Sequence, residues 1–542
     1  MRKANDTAVL TLIVMLSSCT LTQSPSATTS VPTPATTVAA VPADGTFPTS
    51  VEGLPEAKPM ETVELSDGAK YIVTARPVKQ RVGGQWVRRL AYNGTVPGPI
   101  IKVKQGATIF LTLKNETEIP TTLHPHGLRL DYHNDGVVGI SQKAAIAPGG
   151  SYDYTLKFPD AGMYWYHPHV REDYSQALGM YGNFWVVPKD PNFYNPVNRE
   201  VALILDDASG KDAAPFYRDR VTHTLMGRYG DVMLINGQDH FVLQAQADEV
   251  LRFFLTNSAS TRTIKFALPG ARMKLVGSDG GLYEHEQWTD AVTISPSERY
   301  IVEARYAKPG TYEIGNNKPD GSVKLGTIEV SNGPAPKLIA DFDKLRNPGL
   351  SITDLKVVKQ KLNGPVNKQL TITLVIDHSK LSMPHKESGH DMHHMRHGQD
   401  AAKPQGPKPR AIEWTDEMAA MNSKSDNTNL VWKLIDAKTK AENMHIKWQF
   451  KRGDFVKIRI YNDPKSVHPM QHPIHFHGQR FVIASLNGQA NFNLVWKDSA
   501  LIAPGETMDI VLEAANPGQW MAHCHIAEHL HAGMMLSFNV SE

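Results

Sequence analysis

One ungapped segment occurs three times in this chain: "APGGSYDYTLKFPDAGMYWYHPH" (Ala147–His169), "SPSERYIVEARYAKPGTYEIGNN" (Ser295–Asn317) and "APGETMDIVLEAANPGQWMAHCH" (Ala503–His525). Each copy places a Gly fourteen residues after a Pro: Pro148 and Gly162, Pro296 and Gly310, Pro504 and Gly518. Between these turn residues apolar and polar side chains alternate, as in "YDYTLKF" and "MDIVLEA", which is the period of a half-buried strand. The repeating unit is therefore strand, turn, strand. A second alternating stretch lies upstream of the first and third copies, "QGATIFLTLKN" (Gln105–Asn115) and "RGDFVKIRIYND" (Arg452–Asp463). With short turns and no long amphipathic helix, the pattern predicts an all-β chain of three β-sandwich domains, at about 60–190, 197–332 and 365–541. A length of 542 residues suits three domains.

The copies differ where chemistry is concerned. Five residues after the Gly, the first copy has His167 and His169 and the third has His523 and His525, whereas the middle copy has Gly315 and Asn317. Two more pairs, His124 with His126 and His475 with His477, bring the His-x-His pairs to four. On a strand both rings of such a pair face one side, so the pairs can converge on one cluster. A single His-x-His is more often a hydrogen-bonded structural pair than a metal site; four, two of them in matched repeat positions, are not a coincidence. Imidazole alone does not choose among Cu, Zn, Fe and Ni. The stretch around Cys524 does, because His472, Cys524, His529 and Met534 make a His2Cys set with an axial Met, the blue-copper pattern. Cys524 points away from His523 and His525, so it can bind one copper while its neighbours bind others.

The N-terminus has a basic start (Arg2, Lys3), a short apolar run "AVLTLIVML" (Ala8–Leu16) and then small residues, the layout of an export signal over residues 1–19. "LSSC" (Leu16–Cys19) resembles the bacterial lipobox, against the plainer reading of ordinary cleavage among small residues. Thr20 after Cys19 suggests outer-membrane sorting by analogy with enteric bacteria. Residues 20–59, rich at first in Thr, Ser, Pro and Ala, read as a flexible tether. If Cys19 carries lipid, Cys524 of the two cysteines has no disulfide partner. The expectation is an exported, periplasmic, lipid-anchored monomer whose only membrane contact is the anchor. A net charge of +2 gives no case for a nucleic-acid partner.

Four motifs carry a resemblance that spans roughly residues 60–541: "HPHG" (His124–Gly127), "HPH" (His167–His169), "HPIHFHG" (His472–Gly478) and "HCHIAEHLHAGM" (His523–Met534). The chain resembles the three-domain multicopper oxidases, the group that includes laccases, ascorbate oxidase and bacterial copper-resistance oxidases. The resemblance implies cupredoxin-like Greek-key domains, four copper ions and reduction of dioxygen to water. By position it implies His472, Cys524, His529 and Met534 at type 1 copper, and His124 and His475 at type 2. His126, His167 and His525 would hold one type 3 copper, and His169, His477 and His523 the other. Asp135 matches an acidic position that family members place beside type 2 copper, a proton relay; the plain reading is an Asp135-Gly136 turn.

The substrate is read from methionines. "SMPHKESGHDMHHMRHGQD" (Ser382–Asp400), inside a His/Met-rich insertion at 382–409, includes His393, His394 and Met395. Thioether and imidazole together favour Cu(I). Met470 matches a substrate-copper ligand of the cuprous oxidases, although His468 stands where those enzymes have Asp; Met418 and Met421 are further candidates. Cuprous oxidation in copper tolerance is the leading expectation, laccase-like oxidation of phenols and aromatic amines the alternative, and oxidation of other metals a third. A pure electron-transfer cupredoxin has no use for the eight paired histidines, and a copper-sequestering lipoprotein has no need of Cys524 beside a closed cluster.

Overall fold

A computed structural model describes residues 45–210, 213–333, 337–348, 353–377 and 410–542. The export signal with Cys19, and His393, His394 and Met395 in the insertion, lie outside the described residues. Among the described residues the strands form six sheets, two for each region delimited by the repeat. Strand Ser151–Lys157 lies in a four-stranded sheet and Gly162–His167 in the five-stranded sheet facing it; Arg299–Arg305 and Gly310–Lys318 divide between a six- and a five-stranded sheet in the same way, as do Thr507–Ala514 and Gly518–Cys524. The Pro-to-Gly segment is thus the corner at which the chain passes from one sheet to the other. Burial follows the sequence period: Thr108–Asn115 alternates between buried and more accessible positions, and the buried side of Ser151–Lys157 is Tyr154 and Leu156.

Each sandwich closes on its own apolar core. Val73, Leu111, Leu113 and Phe184 lie in the first, Leu203, Phe253, Phe266 and Ile328 in the second, and Trp432, Ile458, Leu512 and Phe538 in the third. The helix Thr353–Lys359 precedes the start expected for the third domain. Its Leu355 and Val358, three apart and on one face, pack against Val482, Trp496 and Val511, so the third sandwich uses part of the preceding linker. Among the described residues no helix is long and apolar enough to cross a membrane.

Residues 45–59, expected as the end of a flexible tether, are instead anchored at two places. Phe47 is buried and stacks on Tyr174 at 3.9 Å, with the guanidinium groups of Arg171 and Arg218 over its ring at 5.1 and 4.8 Å. Its N–H donates to the Phe216 carbonyl at 2.9 Å, and further along Ala57 and Lys58 donate to the Lys79 and Gly94 carbonyls at 2.8 Å. One aromatic side chain in an otherwise small and polar stretch supplies the apolar area that such composition lacks. Replacing Phe47 with Ala should weaken this docking by about 3 kcal/mol, and so expose residues 45–59 about a hundredfold more often. Limited proteolysis checks it: the variant should be cut within 45–59 much faster than the parent, and equal rates would contradict the docking.

Candidate metal centre

Strand register assembles the site. His124 stands opposite His167 in the first sandwich, and His475 opposite His523 in the third, with Ile474 opposite Cys524 one step along. Because side chains alternate across a strand, His523 and His525 face the first sandwich while Cys524 faces the interior of the third. The two sandwiches then bring eight imidazoles together. His124 stacks on His477 at 4.1 Å between ring centroids and His126 on His475 at 3.7 Å; His169 lies 5.2 Å from His523, and His126 5.0 Å from His525. All eight are buried.

The ring nitrogens divide into two sets. One set is held by fixed acceptors: Nδ1 of His124 by the Asp135 carbonyl (2.8 Å), of His167 by the Pro168 carbonyl (2.8 Å), of His475 by the Asp498 carbonyl (2.8 Å) and of His523 by the Cys524 carbonyl (2.7 Å). Carboxylates hold three more: Asp135 takes His477 Nδ1 at 2.9 Å, Glu172 takes His169 Nδ1 at 2.9 Å, and Asp498 takes His126 Nε2 at 3.1 Å. The other set has no such acceptor. Nε2 of His124, His169, His475 and His525 is buried with no hydrogen-bond partner; His126 Nδ1 faces His167 Nε2 at 3.4 Å, and His477 Nε2 faces His523 Nε2 at 2.9 Å. Buried nitrogens are rarely left this way, and lone pairs aimed at one another suit metal ions between them. The residues present fit copper. His169, His477 and His523 form one group of close donors, His124, His475 and His477 another, and His124, His126 and His167 a third.

The second donor set lies on the far face of the Cys524 strand. Cys524 Sγ is 3.7 Å from His472 Nδ1 and 3.8 Å from His529 Nδ1, and these nitrogens are 3.2 Å apart. Met534 is fully buried in the same core cluster, with its carbonyl accepting the Cys524 N–H at 3.1 Å. Trp432 packs against both rings, 4.7 Å from His472 and 4.6 Å from His529, and its indole N–H donates to the Thr224 carbonyl at 2.8 Å.

Burial sets the protonation. It pushes the imidazoles of His126, His167, His477, His523, His525 and His529 well down and that of His472 down to about 3, so all are neutral lone-pair donors at neutral pH. It pushes the Cys524 thiol up, so a thiolate there needs a bound cation.

Of the twelve residues singled out in the sequence as copper ligands, the structure gathers eight histidines in one cluster and His472, Cys524 and His529 in a second, with Met534 in the same core. Asp135 is buried against His124 and His477. Met470 is fully buried in the third core, while Met418 and Met421, the N-cap and a residue of the short helix Ala419–Asn422, are half-buried. Sequence reasoning missed Asp498, Ser499, Trp432, Glu172 and His531. His531 Nε2 donates to Glu172 at 2.7 Å; although burial opposes both charges, the pairing raises the imidazole and, with His169, holds the carboxylate well below its usual range. Asp498, Ser499 and Trp432 come from segments distant from the histidines they touch, and Glu172, three residues after His169, meets His531 only through the fold.

Three family models, each described as multicopper oxidase, match residues 75–191, 201–333 and 412–542, together most of the chain. The chain is 26% identical over 492 residues to multicopper oxidase MmcO of Mycobacterium tuberculosis, covering 85% of each. It is 24% identical over 564 residues to a copper resistance protein A homolog of Pseudomonas syringae pv. tomato, covering 88% of this chain and 93% of the relative. Its fold matches a bacterial laccase-like multi-copper oxidase from Ochrobactrum sp. with a TM-score of 0.66 at 22% identity, over 90% of this chain and 100% of that one. The site and these matches agree: the chain belongs to the multicopper oxidase family, copper-dependent oxidoreductases.

Proposed function

We propose that this protein oxidises Cu(I), one electron at a time, at the Cys524 site and passes the electrons to dioxygen at the histidine cluster. Four bound coppers would supply this chemistry: one held by His472, Cys524, His529 and Met534, one by His124 and His475, and two by His126, His167, His525 and by His169, His477, His523. Several observations support the reading. Cys524 ends the strand Gly518–Cys524 with His523 before it and His525 after it, so the backbone from Cys524 to both histidines is a short covalent path. The eight cluster histidines are buried, which limits access of bulk water to the site. Asp135, fixed on His124 and His477, is placed to hold a proton beside the cluster.

The substrate reading is carried by the segment laid beside His472. Gln471 pins it, accepting from the Glu413 N–H at 2.9 Å and donating to the Glu413 carbonyl at 3.1 Å. The segment presents Met418 and Met421 on the core that contains Cys524, and Asp416 lies within electrostatic reach of His468, whose Nε2 is buried without a partner. Two thioethers on that core and an imidazole four residues before His472 suit a soft cation better than a bulky phenol. A copper resistance protein A homolog among the relatives points the same way, and the laccase-like fold match keeps phenol oxidation as the second reading.

Two outcomes follow. Cys524→Ser, nearly isosteric, should abolish both the intense blue absorbance and oxygen consumption while the protein stays folded by circular dichroism; a variant that remained blue would refute the thiolate assignment. The double change Met418→Leu, Met421→Leu should raise KM for Cu(I) about tenfold, equivalent to about 1.4 kcal/mol, and leave phenol turnover level. Unaltered Cu(I) kinetics in that variant, with phenols the faster substrates of the parent, would put the laccase-like reading first.

A further inference from the structure

The middle sandwich has Gly315 and Asn317 where the others have histidines, and the close donor groups among the described residues all lie outside residues 199–331. Its copy of the repeat turn is nevertheless built differently from the other two. At the position after the turn Pro, Gly149 and Gly505 adopt φ of +81° and +77°, as a residue without Cβ readily does. The middle copy places Ser297 there, at φ +73° and with 0% of its surface exposed. A serine kept in a left-handed conformation that glycine would fill more easily marks a side chain with a task.

The contacts of that turn show the task. Ser297 Oγ donates to Ser499 Oγ at 2.9 Å, and Ser499 Oγ lies 3.2 Å from His475 Nδ1 and 3.3 Å from His126 Nε2. Two residues on, where the other copies have Ser151 and Thr507, stands the buried Arg299, whose guanidinium touches all three sandwiches. Its Nε donates to the Met163 carbonyl at 3.1 Å, and its Nη1 donates to the Ser297 carbonyl at 2.9 Å and to Asp498 Oδ1 at 2.8 Å; Nη2 donates to Asp498 Oδ2. Asp498 in turn takes His126 Nε2 on its carboxylate and His475 Nδ1 on its carbonyl. Gly127, the last residue of "HPHG", leaves the room: a Cβ there would lie 2.5 Å from Asp498 Oδ2 and 2.8 Å from Arg299 Nη2.

We propose that the middle sandwich serves the copper cluster through Ser297 and Arg299, positioning residues that act through Ser499 and Asp498 to fix the orientation and tautomer of His126 and His475. This inference rests on the copper assignment above. Outer partners of metal-bound imidazoles decide which ring nitrogen carries the proton and which faces the ion, and their loss commonly weakens metal binding by 10-fold or more.

The test uses the full-length copper-loaded protein and two variants. Ser297→Gly deletes the hydroxyl but suits φ +73°, so it should unfold thermally no earlier than the parent and keep the blue absorbance unchanged. Arg299→Lys keeps a positive charge and loses the two-pronged contact to Asp498. Both should release cluster copper to a chelator about 10-fold faster than the parent and shift the hyperfine splitting of the non-blue copper in the EPR spectrum, which a merely structural role of the turn would not move. If Ser297→Gly folds and matches the parent in release rate and EPR spectrum, the inference is wrong and the copper assignment stands. A parent protein without cluster copper would overturn both.

Discussion

Eight imidazoles buried against one another are the constraint on which this architecture depends. A buried nitrogen without a hydrogen-bond partner costs about 1–3 kcal/mol, and four Nε2 atoms of the cluster are in that position. Seven of the eight rings are fixed from outside, by a backbone carbonyl or by a carboxylate, which organises the donors around the cluster. Local chain geometry delivers several of these acceptors. Gly136, at φ +75°, would place a Cβ only 2.1 Å from the Leu123 carbonyl oxygen, so the turn at Asp135-Gly136 requires glycine. That turn carries Asp135 against His124 and His477. Asp135 is thus a turn residue whose carboxylate is also held against the cluster.

Much of this was legible in the sequence because the information is local. A period of two fixes which residues share a face, a repeated Pro-to-Gly spacing fixes the corner between sheets, and His-Cys-His on one strand fixes two metal-binding faces back to back. The pairings between segments are not local. Asp498 and Ser499 sit in "WKDSALIAP", an ordinary buried strand by pattern, and reach His126 across 372 and 373 residues of chain. Trp432 looks like a core aromatic until the fold places it against His529, and Glu172 like a helix-start carboxylate until it meets His531, 359 residues on. Phe47 was hidden for a different reason: composition averages over a window, and one docked aromatic outweighed its small and polar neighbours.

The three repeats also show how one supersecondary unit is put to different uses. In the first and third, the paired strands carry histidine at the cross-strand positions; in the second, the equivalent pairing sets Phe266 and Ala267 against Asn316 and Gly315. Its charge is spent elsewhere. Lys497 of the third sandwich is buried between Asp279 and Glu298 of the second, 3.1 Å from each, and Arg299 spans to Asp498. Buried ion pairs of this kind contribute little net stability, but they tolerate few alternative arrangements and so hold the sandwiches in register around the cluster.

The central claim is that copper sits where sandwiches one and three meet and behind Cys524. Anomalous diffraction at the copper edge from crystals of the copper-loaded protein tests it most directly. The account predicts four fully occupied sites: one beside Cys524, three among the eight histidines, and none within residues 199–331. A fully occupied copper inside the middle sandwich, or a histidine cluster empty in a protein that is blue, would contradict it.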